Sequence, residues 1–145
     1  MKKTIDETAA RAAFENALAT YDQDFGTFFL ARLLGMEFEY LEDACRISFD
    51  VQEFMSNPRG GLHGGVIAFV LDISMGHLIQ RKIGAATTVE MKVQYLKAVS
   101  SGRATATGRF LRQGRTLCYL RSELVDEKGE MIAYATGTWM VLKKD

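Results

Sequence analysis

At 145 residues, with 48% apolar and 25% charged side chains, the chain has the length and composition of one soluble domain with a real core. Its 18 Lys and Arg balance 18 Asp and Glu, so it lacks the basic excess expected of a nucleic-acid binder. The opening Met1-Lys2-Lys3 leads into Asp6, Glu7 and Arg11 rather than an apolar run, and no stretch approaches the ~18 apolar residues that span a bilayer. The expectation is a cytoplasmic protein with no membrane partner.

Thr4-Ile5-Asp6-Glu7 has the form of a capping box with Thr4 as the cap, and it opens an Ala-rich helix to about Thr20. "GTFFLARLLG" predicts a short second helix stopped by Gly35. A strand follows from Met36 to Leu41. "CRISFDV" then alternates strictly, with Cys45, Ile47, Phe49 and Val51 on one face, as a half-buried strand does. Asn57-Pro58-Arg59-Gly60-Gly61 is a loop by composition, and an apolar helix runs from 64 to about 82, ending near Gly84.

Residues 87–96 alternate again, placing Val89, Met91, Val93 and Tyr95 on one face and Glu90, Lys92 and Gln94 on the other. Strands over 102–112, 116–125 and 131–142 follow, joined by turns at Gln113-Gly114 and Asp126–Gly129. The predicted class is α+β, an antiparallel sheet wrapped around one central helix, with extra helices at the N-terminus. That arrangement explains a helix that is apolar nearly all round.

The central helix carries one acid, Asp72, among Val70, Leu71 and Ile73. A buried carboxylate needs a hydrogen-bond partner, a proton or an interface cavity. Two readings stand: a structural acid accepting from a loop or from a serine such as Ser74, or a functional group. Gly64-Gly65 opens the helix, where backbone N–H groups lack internal partners and favour an anion or a polarised carbonyl. Asp72 lies about 12 Å further along at ~1.5 Å per residue, so one helix cannot bring its own acid to its own N-terminus. Two antiparallel copies can. If these residues share a site, the protein is at least a dimer, and a two-fold dimer is the commonest form.

The spacing Asn57-x5-His63-Gly64-Gly65-x6-Asp72 resembles that of hotdog-fold acyl-CoA thioesterases related to the phenylacetate-degradation thioesterase. "TTVEMKVQYLKAV" and the strands from Gly102 to Leu142, with the turn Gln113-Gly114-Arg115, are similar to the same family. The likeness covers about 36–142, making residues 1–145 a single hotdog domain with 1–35 as a helical extension.

The resemblance implies hydrolysis of an acyl- or aryl-CoA thioester without metal or redox cofactor, by a homodimer paired into a homotetramer. The Gly64 N–H would polarise the carbonyl, with Gly65 beside it. Asn57 would bind or orient that carbonyl, and His63 would orient the amide or assist the departing thiolate. Asp72 of the other subunit would be the general base or a nucleophile, with Thr88 positioning water. Within the same fold, a dehydratase or hydratase is an alternative that fits the spacing less well; a non-catalytic acyl-thioester binder is another.

Arg109, Arg112 and Arg115 cluster about one turn, where a solvated hairpin tip is the simpler reading, but they also suit the phosphates of coenzyme A, as do Lys97, Lys143 and Lys144 more weakly. Phe25, Phe28, Phe29 and Leu33 either line an acyl pocket or dock the second helix, docking being the simpler reading. His77 is read as a packed or solvent-facing histidine outside the motif. Two histidines give no metal spacing, Cys118 reads as a buried inert thiol, and there is no G-x-S-x-G elbow.

Overall fold

A computed structural model describes residues 4–143, so Lys144 lies outside it. The first helix, α1 (Glu7–Thr20), ends where its Ala-rich run was expected to end, but its cap differs from expectation. Asp6 rather than Thr4 is the cap, accepting from the Ala9 N–H at 3.0 Å. The Asp6 N–H is met in turn by the Glu53 carboxylate at 2.9 Å, so a carboxylate 47 residues away does what the third residue of a capping box does locally. The second helix, α2, is short (Phe29–Leu33), and Gly35 at φ +64° turns the chain out of it.

Next come strands β1 (Glu37–Tyr40) and β2 (Ala44–Asp50), then a 3-10 turn over Glu53–Met55 that periodicity did not reveal. In β2 the expected face is buried: Cys45, Ile47 and Phe49 have no exposed surface. Helix α3 (Gly64–Lys82) follows, then β3 (Ala86–Tyr95), β4 (Arg103–Gln113), β5 (Leu117–Asp126) and β6 (Met131–Val141).

All six strands form one antiparallel sheet in the order β1-β2-β4-β5-β6-β3. Chain neighbours β3 and β4 are thus separated: β4–β6 is a meander, and β3 joins it at the far side by pairing with β6. Its other edge has no strand partner among the described residues.

The sheet curls around α3, whose Val70, Leu71, Met75, Leu78 and Ile79 are buried. Two glycines set how closely helix and sheet approach. A Cβ on Gly108 of β4 would lie 2.5 Å from the Ser74 carbonyl oxygen of α3, so the helix backbone rests directly on the strand. A Cβ on Gly76 of α3 would lie 2.6 Å from the Trp139 ring of β6. Ser74 itself donates to the Leu71 carbonyl at 2.8 Å and accepts from Ser122 at 2.6 Å, a buried structural pair. Cys45 and Cys118 are both buried free thiols, and burial pushes the Cys45 thiol up to about 12. Among the described residues no helix is long and apolar enough to cross a membrane.

Strict alternation fails in β3 at one place. Thr88 pairs with Trp139 and Glu90 with Thr138, leaving Val89 as an extra residue in a β-bulge. The bulge swaps faces: Thr88 joins Met91, Val93 and Tyr95 on the side facing α3, while Val89 is exposed rather than sharing that face. Without it Thr88 would point away from the helix with Glu90 and Lys92.

Candidate active site

The bulge has a chemical consequence at the middle of α3. Thr88 Oγ1 donates to Asp72 Oδ1 at 2.9 Å, so the partner of the isolated acid is Thr88 and not Ser74. Asp72 is half-buried. Burial pushes its carboxyl above the ordinary carboxylate range, and the Thr88 hydrogen bond pulls it part of the way back. A carboxylate with one neutral donor and a raised proton affinity is suited to take a proton from water.

Asp72 opens onto a cleft of about 410 Å³. Phe25, Phe28 and His77, which lie against one another, line it with Ile73, Gly76, Ala86 and Trp139; Gln23, Asp24 and Gln80 contribute polar atoms. His77 is packed, as its position outside the motif suggested. Its ring stacks on Phe38 at 4.7 Å and meets Phe25 edge-on at 5.0 Å, with Tyr40 Oη 3.2 Å from Nδ1. Burial lowers its pKa from 6.5 to about 4, so the imidazole is neutral at pH 7. Phe25 and Phe28 therefore line this cleft, whereas Phe29 packs edge-on against Phe14 and Tyr21.

The first turn of α3 is a different environment. His63 is the cap, in extended conformation, and its Nδ1 accepts from the Gly65 N–H at 2.8 Å. Gly65 has thus committed its donor, and His63 is left with Nε2 free. The Gly64 N–H has no partner among the described residues. Glycine suits both positions: a Cβ on Gly64 would come within 3.2 Å of the Tyr95 ring, and one on Gly65 within 3.1 Å of His63 Nδ1. Tyr95 reaches over from β3 to donate to the Gly64 carbonyl at 3.0 Å.

Asn57 closes its loop by accepting from the Arg59 N–H at 2.9 Å through Oδ1, and its backbone pairs with Gly60 and Gly61. This leaves the amide's Nδ2 as the free donor, the atom that a substrate carbonyl requires. The loop is held to the helix start by the His63 N–H, which donates to Met55 O at 2.9 Å. A second cleft of about 380 Å³, lined mainly by Leu30, Leu34, Phe54, Val66 and Phe69, adjoins His63 and Gly65.

The cationic candidates divide. Lys97 pairs with Asp126 at 2.7 Å and with Glu130, and these bonds raise its pKa. Arg109 pairs with Asp43 at 3.3 Å. Among the described residues no carboxylate lies within ion-pair distance of Arg112 or Arg115, which sit exposed beside the β4–β5 turn. Lys143 is exposed past the end of β6. No cluster of three metal-ligating side chains occurs among the described residues.

Residues 59–133, from the loop through α3 into β6, match the model of the thioesterase superfamily. The chain belongs to that superfamily. As a thioesterase it is 33% identical over 129 residues to the medium/long-chain acyl-CoA thioesterase YigI of Escherichia coli K12, covering 76% of this chain and 83% of that one. Its fold is similar to that of the Bacillus halodurans BH2602 protein, crystallised with CoA, at a TM-score of 0.86 and 23% identity over 99% of this chain and 97% of that one. The SAV0944 thioesterase of Staphylococcus aureus gives a TM-score of 0.73 at 22% identity, over 77% and 96%. Thioester hydrolysis is thus the reaction class, and the sheet around a central helix is the hotdog architecture expected from sequence.

Proposed function

We propose that this thioesterase hydrolyses acyl-CoA esters in a site shared between two subunits, with Asp72 of one as general base and Gly64 of the other as carbonyl donor. The observation that carries the reading is the separation of two complementary groups on one rigid helix: an unpaired N–H at Gly64 and a proton-seeking carboxylate at Asp72. Eight residues of helix hold them about 12 Å apart. An antiparallel second copy of α3 brings each to the other. The open edge of β3, with exposed Val89, Tyr95 and Leu96, supports a β3-to-β3 contact that would set two α3 helices side by side.

In this arrangement the thioester oxygen accepts from the Gly64 N–H at the positive end of α3, and Asn57 Nδ2 supplies a second donor. Asp72 takes a proton from water as its oxygen attacks the carbonyl carbon, and Thr88 keeps the carboxylate aimed. Collapse of the tetrahedral intermediate breaks the C–S bond, and His63, whose Nδ1 is taken by the Gly65 N–H, has Nε2–H to offer the departing thiolate. Acyl-CoA as the substrate is supported by the names of the relatives, and by Arg112 and Arg115 as cations free to meet phosphate. Pairing of two dimers into a tetramer remains part of the reading, as does a location in the cytoplasm.

The test is complementation. Asp72→Asn removes the base, and Gly64→Pro removes the donor; proline suits the first helical position, and the extended His63 before it (φ −63°, ψ 133°) tolerates a following proline. Each variant alone should release little thiol from acyl-CoA. Subunits unfolded and refolded together should regain activity, because one site in each mixed dimer is then intact. Mixed dimers without activity would overturn the shared site.

A further inference from the structure

The 22–28 turn lies outside the 59–133 segment that carries the family match, yet it forms one wall of the cleft beside Asp72. It is held mainly by its own bonds: Asp22 N–H to Thr27 O at 3.0 Å, Thr27 N–H to Asp24 O at 3.2 Å, and Phe29 N–H to the Gln23 side chain at 2.9 Å. Gly26, at φ +85°, makes the reversal possible, and a Cβ there would lie against Phe38. From this turn Phe25 and Phe28 reach the buried His77 ring, at centroid distances of 5.0 and 6.0 Å. Phe25 is 54% exposed, an unusual place for a large aromatic ring that closes nothing.

Helix α3 supplies most of the rest of the lining. Asp72, Gly76 and Gln80 follow one another at four-residue intervals, on one face of α3. Gly76 puts no side chain on that face, and the Trp139 ring packs into the space a Cβ would take. A trough therefore leads from the carboxylate, past the Trp139 ring seated on Gly76, toward Gln80 about 12 Å away. Ile73, Ala86 and Trp139 make it apolar, and His77 is present as a neutral ring.

We propose that this trough takes a straight acyl chain of medium length, and that Phe25 and Phe28 set the longest chain accepted. The proposal rests on hydrolysis of acyl thioesters at Asp72. It makes the helical extension, through its 22–28 turn, the specificity element of the enzyme.

The experiment compares kcat/KM over straight-chain acyl-CoA esters from acetyl to palmitoyl for the wild type, Phe25→Ala and Phe25→Trp. Removing the ring that stands over His77, five residues past Asp72, should move the optimum to longer chains, raising the long-to-short ratio roughly tenfold, the discrimination an apolar pocket gives per methylene. Phe25→Trp should move it to shorter chains. An optimum unmoved in both variants overturns the proposal. So does an optimum moved instead by Phe54→Ala, which would put the acyl chain in the cleft beside His63. If the wild type cleaves no ester, the hydrolysis reading fails by itself; dissociation constants for the same esters then decide, and their chain-length dependence must shift with Phe25.

Discussion

The first turn of α3 and its middle contain the same kind of residue, small or polar groups in an apolar helix, and treat them in opposite ways. At the first turn the groups face outward: His63 and Gly65 are exposed, and Gly64 keeps an uncommitted N–H. In the middle they are drawn in: Asp72 and His77 are desolvated enough that both shift toward their neutral forms. A backbone donor acts without changing protonation, so exposure costs it nothing. A base has to be raised in proton affinity, and partial burial does that. On the proposed reading the helix carries two half-sites of different physics that cannot meet within one chain.

The largest effect expected from breaking this division is at Asp72. Asp72→Asn should lower kcat by about 100-fold or more, as loss of a general base does, while gel filtration shows an unchanged assembly. The same variant should raise Tm at neutral pH. Burial raises the carboxyl's pKa above its unfolded value, so the native state is penalised once pH exceeds the ordinary value of 3.8. The gain in Tm should accordingly vanish in acid, where both states are protonated. Gly64→Pro should cost roughly 100-fold in kcat, as removal of an oxyanion donor does, together with a modest fall in Tm, because its Cβ presses on the Tyr95 ring 3.2 Å away. Gly64→Ala, which adds the same Cβ but keeps the N–H, should share the fall in Tm and keep far more of the activity.

Thr88→Val sharpens the contrast on one side only. It removes the bond that lowers the Asp72 pKa, so the acid limb of the kcat/KM profile should move to higher pH. Thr88→Ser should restore the profile, and failure of that rescue would mean that Thr88 acts through packing. His77 provides the opposite sign. It is neutral in the fold but binds a proton readily when unfolded, so stability should be lost as pH falls from about 6.5 to about 4. In His77→Phe, Tm should fall less steeply across that window. The smallest effect is expected from Arg112→Gln with Arg115→Gln, a rise in KM for acyl-CoA of a few-fold that shrinks at high salt.

What could be read from sequence follows what each signal measures. The buried face of β2 and the apolar length of α3 are local patterns, and the elements formed where those patterns lay. The unusual carboxylate was legible because Asp72 is the only acid in a helix of mostly apolar residues, with few polar neighbours besides Ser74. Its partner was legible only through a family likeness, since Thr88 faces Asp72 by virtue of a bulge at Val89 that interrupts the apparent alternation. Pairing of β3 with β6 is likewise a tertiary choice. Asp6 took the cap from Thr4 because Glu53, remote in sequence, met the Asp6 N–H. The cleft was legible only as an alternative to docking for Phe25 and Phe28, because Phe25 and His77 are 52 positions apart and each reads alone as ordinary packing.

The seat of Ser74 on Gly108 gives α3 a pivot. No side chain cushions the helix there, and a tilt that keeps this contact turns about it, much as a beam turns on its bearing. Gly64 lies ten residues from it and Asp72 two, lever arms of roughly 15 Å and roughly 3 Å along the axis. A given rocking angle therefore sweeps the donor end about five times as far as the acid. In a site assembled from two such beams, the carboxylate is the stationary jaw and the amide the travelling one.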